Sequence, residues 1–431
     1  MSSTIGTPSY RRASLRAHSL VAALMLASVA AHAQETPVTL DAALQAATDH
    51  SAAMGAAQAS VRASSEAALR AGQLPDPTLR AGVDNLPVTG QQKFTVGQDF
   101  MTMRRIGIEQ EWVSGDKRRL RSELANDVVD RERAGYLAQL ANTRQQTATA
   151  WLNAIYAKKA VVLQQELVDH MTHELDATKA SYRGARATAA DVTQAQAMLA
   201  QTQDQLLKAR QTFQTSLIGL SRWTATPVAD VTGEPPAPQS YVSSLPPEEL
   251  REVQPVLVAA SRDIAVADAD TAVANSNRNP NWTWEVAYQQ RGGAYSNMVS
   301  IGVSIPLPIN RKNRQDRDAS EKSELATRAR LMYEEAQRQV EADIRTQSAT
   351  LDSGRERITH LSNSLLPAAG QRVRLATAAY KAGTGSLADT FAARRAQLEA
   401  ELQVLDLQRD VSQTWAQLEY QVVPASMSVA Q

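Results

Sequence analysis

The 431-residue sequence has no cysteine, so no disulfide can reinforce its fold and no thiol can carry a lipid. Aromatic residues make up only 5%, a poor basis for one compact globular core and a better one for long, closely packed helices rich in alanine and glutamine. No window holds the roughly 20 apolar residues of a membrane-spanning helix. Basic and acidic residues balance at 45 each, which argues against the basic face of a nucleic-acid-binding protein. Nucleophile elbows, phosphate loops, His-Glu-x-x-His and paired catalytic carboxylates are absent in any suitable context, so neither enzymatic activity nor a cofactor is expected.

What is present begins with an address. Arg11, Arg12 and Arg16 precede an apolar run from Leu20 to Ala30, which ends at Ala31-His32-Ala33. A positive stretch, a short apolar run and a small-residue cleavage site make a signal peptide, so residues 1–33 are expected to be removed after Ala33. The mature chain is then exported, with no helical or lipid anchor. Without those three arginines, 42 basic residues face 45 acidic ones.

The rest reads as two copies of one pattern. Ser181-Tyr182-Arg183 and Ala190-Asp191-Val192 match Ala379-Tyr380-Lys381 and Ala388-Asp389-Thr390 at a constant offset of 198. Pro75-Asp76-Pro77-Thr78 pairs with Pro280-Asn281-Trp282-Thr283, and Ile106-Gly107-Ile108 with Ile301-Gly302-Val303. Repeats are expected at 34–223 and 247–421, joined by a linker at 224–246 and followed by a tail at 422–431. Pro227, Pro235, Pro236, Pro238 and Pro246 forbid helix in the linker and favour extended chain.

Each copy predicts helix, two strands, long helix, turn and helix: 39–73, 116–180 and 187–222 in the first, then 247–277, 313–378 and 387–421 in the second. A helix of about 65 residues is roughly 97 Å long, far beyond an ordinary globular helix. In each copy the two shorter helices together match the long one, which predicts paired antiparallel rods. Val192, Leu199, Leu206, Phe213 and Leu220 recur every seven residues, as do Val404, Val411 and Leu418. A sustained heptad means coiled-coil packing.

Four segments alternate with period two, at about 78–87, 94–112, 281–290 and 298–307. Trp282, Trp284, Val286 and Tyr288 oppose Thr283, Glu285 and Gln289, while Val299, Ile301, Val303, Ile305 and Leu307 oppose Ser300, Gly302 and Ser304. Segments of about ten residues, apolar outward and polar inward, suit a transmembrane β-barrel. A soluble antiparallel sheet with one buried face gives the same alternation; export and helices too long for a soluble core favour the barrel. Lipid tolerates no open sheet edge, and single-chain barrels begin at about eight strands. Four strands cannot close alone, whereas three chains supply twelve and room for an aqueous lumen.

The tandem halves, the turns at Tyr182 to Asp191 and Tyr380-Lys381-Ala382-Gly383-Thr384 to Asp389, Leu74-Pro75-Asp76-Pro77 before the first strand and Ile305-Pro306-Leu307-Pro308 after the last together resemble the TolC family of outer-membrane efflux channels. The resemblance covers essentially the whole mature chain. It implies a mainly helical homotrimer in the outer membrane of a Gram-negative bacterium, with a helical tunnel below a twelve-stranded barrel. It also implies two partners, a periplasmic adaptor (membrane fusion) protein and an inner-membrane pump, expected to be of the RND type. Val83-Asp84-Asn85-Leu86-Pro87 and Phe100-Met101-Thr102-Met103-Arg104-Arg105 look more like the heavy-metal branch, similar to CzcC and CusC, than the drug branch.

Carried over by position, the family's docking tip falls on Tyr380, Gly383 and Thr384, with Tyr182 and Gly184 in the first copy, where Ala185 stands at the usual glycine site. The carboxylate at the periplasmic constriction falls on Asp389 and Asp191. Thr188 and Ser386, three residues earlier, would equally make these aspartates helix caps, and the two roles are compatible. His170 and His173 are one turn apart and could be offered as metal ligands, as could Met101 and Met103 on one strand face for a soft metal; solvated helix surface and ordinary packing are the competing readings. Trp112, Trp282, Trp284 and Tyr288 suit a membrane-interface belt. The expected function is a passive exit duct for metal cations or other small toxic compounds. Drug efflux, type I protein secretion and an exported coiled-coil scaffold are the alternatives.

Overall fold

The structure, a computed structural model, describes residues 37–423; the expected signal peptide and nearly all of the tail lie outside them. In the first half, α1 (Leu40–His50) and α2 (Ala52–Ala71) lead into β1 (Thr78–Asp84) and β2 (Met103–Trp112), followed by α3 (Gly115–Arg183) and α4 (Ala189–Thr224). The second half repeats the order with α5 (Pro247–Val253), α6 (Pro255–Ser276), β3 (Trp282–Gln290), β4 (Met298–Ser304), α7 (Gln315–His360), α8 (Leu366–Lys381) and α9 (Leu387–Glu419). At 69 residues, α3 alone is about 100 Å long.

Two helices expected to be continuous are broken. Ser51 takes extended backbone angles and its hydroxyl accepts from Met54 N–H, so it ends α1 and caps α2. Gln254 acts likewise before Pro255, its side chain accepting from Val256 N–H at 2.9 Å; proline fits a first turn, where its missing N–H would be unbonded anyway. Between α7 and α8 the helix continues through a π-turn at Leu361–Leu365, in which Leu366 N–H reaches back to Leu361 O. Pro367 follows directly. It has no N–H and its ring would collide with the carbonyl four residues earlier, and a widened turn relieves both conflicts.

The strands are shorter than the alternation predicts. Asn85 at φ 55° closes β1. β2 starts at Met103 rather than Phe94, because Phe94 itself takes φ 59° and residues 91–102 form turns and bends. β4 stops ahead of Pro306, which cannot donate to a ladder.

The four strands form one antiparallel sheet in the order β1-β2-β3-β4. Its central ladder joins the two halves of the chain, with Ile108 opposite Val286 and Trp112 opposite Trp282. Buried Lys117 at the start of α3 clamps the α6–β3 connection by donating to Asn279 O and, at 2.8 Å, to Asn281 Oδ1. Helices next to the sheet pack in the order α2-α3-α6-α7, and those beyond the middle as α4-α3-α9, with α9 against α7 and α8. Short helices thus stack beside two through-running rods, as their lengths require.

The largest core lies at the middle, where α1, α3, α4, α5, α7 and α9 meet the linker through Leu44, Trp151, Leu220, Val231, Leu250 and Trp415. The Pro-rich linker is strapped down rather than loose. Val231 bridges Val38, Trp151 Nε1–H donates to Val38 O at 2.9 Å, Trp415 Nε1–H donates to Gln239 O at 2.9 Å, and Lys158 pairs with Asp230 at 2.7 Å. The heptad positions behave as a seam: on α4, Leu206 and Leu220 are buried, with Ala195 and Thr202 interleaved at the alternate positions. Small alternate residues let α4 lie close against α3.

Candidate functional site

Two places concentrate features that packing of a single chain does not explain: the sheet and the ends of the helix pairs. Cross-strand pairing puts Leu79, Ile106, Ile108, Trp282, Trp284, Val286, Tyr288, Val299, Ile301 and Val303 on one face. Nothing among the described residues covers it; Ile301 is 78% exposed and Leu79 68%. Trp112 and Trp282 stack at its helix-proximal end with ring centroids 5.9 Å apart, and Tyr288 stands toward the other end.

The opposite face is polar. Arg80 pairs with Glu109, and Arg105 with Glu285 and, at 3.8 Å, Asp84. Small residues flatten its middle: a Cβ on Gly107 would stand 2.7 Å from that of Ala287. β1 and β4 are the edges of this sheet, each with one side unpaired.

At the far end, the α3–α4 and α8–α9 turns are built alike, bond for bond. Arg186 N–H donates to Ser181 O at 2.8 Å and Ala185 N–H to Tyr182 O at 3.0 Å; Thr384 N–H donates to Ala379 O and Gly383 N–H to Tyr380 O, both at 3.0 Å. Each is a Schellman closure, which needs a left-handed residue just past the helix. Gly383 supplies it at φ 76° and Ala185 at φ 56°, so the residue standing at the expected glycine site adopts the glycine conformation. Gly184, at φ −87°, is the preceding cap. Tyr182 is half exposed, whereas Tyr380 packs on Met171, Leu175 and Phe391.

Both aspartates form capping boxes. Asp191 accepts from Thr188 N–H at 2.7 Å and returns its own N–H to Thr188 Oγ1; Asp389 accepts from the Ser386 hydroxyl at 2.7 Å and donates its N–H to Ser386 Oγ. These bonds hold both carboxyls below the usual carboxylate range. The Thr188 backbone N–H contributes most at Asp191, and the Ser386 hydroxyl most at Asp389.

His170 and His173 are both exposed on α3 around buried Met171. Met101 lies in the turn before β2 while Met103 is its first residue, so the two do not share a strand face. Among the described residues no group of three or more His, Asp or Glu could hold a metal ion. Sequence reasoning passed over Glu174 on α3. Burial raises its carboxyl, with Arg394 of α9 opposing the shift. An acidic residue beside Met171, Leu175 and Thr178, which are buried on one face of α3 at helical spacing, was the available signal.

A family model described as outer membrane efflux protein matches residues 247–420. No curated protein sequence matches. The outer membrane protein VceC from Vibrio cholerae superposes with a TM-score of 0.71 at 17% identity, covering 88% of this chain and 94% of that one. The open-state MtrE outer membrane channel of Neisseria gonorrhoeae gives 0.72 at 18%, over 89% and 88%, and CusC gives 0.73 at 14%, over 89% and 91%. At such identities these likenesses establish the fold. The second half of the chain thus carries the sequence pattern of outer membrane efflux proteins, and most of its length shares the fold of these outer-membrane proteins.

Proposed function

We propose that three copies of this chain close into one conduit through the outer membrane and across the periplasm, the exit duct of a tripartite efflux system. The observation that carries this reading is a sheet with one uncovered apolar face and two unpaired edges. Lipid accepts the face and forbids the edges. Pairing β4 of one copy with β1 of the next removes every edge at twelve strands.

The helices follow the same head-to-tail rule. Exposed Leu69, Leu207 and Ile218 on α2 and α4 lie on one flank, and Leu331, Met332 and Leu375 on α7 and α8 on the other. Trp112, Trp282 and Tyr288 mark the membrane interfaces. The α3–α4 and α8–α9 turns, with Tyr182, Gly184, Tyr380, Gly383 and Thr384, are the docking points for a periplasmic adaptor and, through it, an RND-type pump. Asp191 and Asp389 cap α4 and α9 and ring the narrow end.

Metal cations are the first cargo and small organic toxicants the second, on the heavy-metal character of the stretches around Asp84 and Met103. Heat-resistant trimers in outer-membrane fractions are expected, and a water-soluble monomer without detergent would overturn the channel. Deleting the gene should lower tolerance to zinc, cobalt or copper; lost drug tolerance with unchanged metal tolerance would reject the cargo.

A further inference from the structure

One residue breaks the chemistry of the outward sheet face. On the register that carries Leu79, Ala81, Val83, Ile106, Ile108, Trp112, Trp282, Trp284, Val286, Tyr288, Val299, Ile301 and Val303, the only charged side chain is Arg104. It is exposed, and no carboxylate among the described residues lies within salt-bridge distance. Its position is not random. Arg104 sits between Val83 and Gln290 at the end of the sheet away from the helices. From Trp112 to Arg104 the strand climbs about 26 Å, or about 20 Å of membrane depth once the strand is tilted as barrels require.

An uncompensated arginine is strongly disfavoured in the middle of a bilayer and tolerated at its interface. The other polar side chain well within that face, Gln110, is satisfied by donating to Pro75 O at 2.7 Å and Glu111 O at 2.8 Å. Arg104 has no such internal partner, and its guanidinium leans toward the loop at Gly97. Arginine at that depth presents a planar fork of donors that matches phosphate oxygens.

We infer that Arg104 is a binding site for the phosphate-bearing headgroup of a lipid in the outer leaflet, one per protomer around the rim. This rests on the membrane-spanning reading above. The commitment is to a lipid phosphate rather than free phosphate, because the residues beside Arg104 on this face, Val83 and Ile106, with Tyr288 and Val299 further along it, are exposed and offer a surface for acyl chains.

The test uses the full chain in phosphatidylcholine vesicles with and without phosphatidic acid, and native mass spectrometry of the released oligomer. Wild type should carry phosphatidic acid adducts. Arg104→Gln should reduce them about fivefold, the effect of one basic side chain at an anionic surface, and Arg104→Lys should restore part of them. Equal adducts on wild type and Arg104→Gln would overturn the site, as would equal displacement by inorganic phosphate, which would point to a free anion. Protease protection in the same vesicles separates the two readings. Failure to embed sinks both, whereas an embedded chain with unchanged adducts sinks only the lipid site.

Discussion

The two long rods reach the same length by different means. In the first half α3 runs unbroken from Gly115 to Arg183, while in the second the rod passes through a π-turn before Pro367. At the tips the contrast reverses: Gly383 enters the left-handed region at no steric cost, and Ala185 must be forced into it. The halves therefore keep one hydrogen-bond pattern while exchanging where strain is stored. Closure of the turn and length of the rod are what the architecture holds constant; the residue at each point is negotiable.

The largest expected effect tests the close approach of α7 to α9 that Gly354 permits in the second half. A Cβ at Gly354 would stand 2.4 Å from Val411 Cγ2 on α9, so Gly354→Leu should cost about 3 kcal/mol by overpacking. A collapse in oligomer yield and thermal midpoint would report it; an unchanged midpoint would mean that α7 and α9 separate freely. Next come the turns. Gly383→Ala should destabilise by about 1 kcal/mol, without steric conflict, since nothing lies within 4 Å of that Cβ. Ala185→Gly should stabilise by less, because glycine loses more entropy on folding. Identical signs for the two substitutions in thermal melts would refute the equivalence of the turns. Removing a cap hydroxyl by Thr188→Ala should cost about 1 kcal/mol.

Acid separates capping by the aspartates from the gating proposed for them. The carboxyls of Asp191 and Asp389 are held below their unfolded range, so their capping contribution is full above about pH 4. It should fade as pH falls through the lowered folded value. A modest acid loss of thermal midpoint that disappears in Asp191→Asn/Asp389→Asn marks capping, and an acid change in conductance without it marks gating. The smallest effect is kinetic: amides of 361–365 should exchange faster than those of 163–167 in α3, since a π-turn is the weaker link.

Much of this was legible in the chain because it depends on residues a few positions apart. The heptads at Leu206 and Leu220, the Thr188–Asp191 and Ser386–Asp389 boxes, the tip turn at Gly383 with its counterpart at Ala185 and the alternation of Trp282 to Tyr288 are local patterns with local energies. The strand boundary at Met103 was not legible, because Phe94 to Thr102 carries the same polar and apolar content as strand while the backbone turns. Nor were the breaks at Ser51 and Gln254, where a side chain competes with the helix for the same N–H groups. Arg104 was visible only as part of a basic pair with Arg105. Pairing with Val83 and Gln290 sends it to the outward face and its neighbour to the carboxylates inside.

By itself, then, the sequence determined the order and type of most elements, the extreme length of α3 and the two turns. The tertiary structure decided which strands meet, how the Pro-rich linker is strapped to Trp151 and Trp415, and which residue of each pair falls on which face of the sheet. The physical reason is range. Caps, heptads and alternation are set by bonds within a turn or two, whereas the β2–β3 ladder and the central core join residues from opposite halves of the chain, which no local pattern encodes.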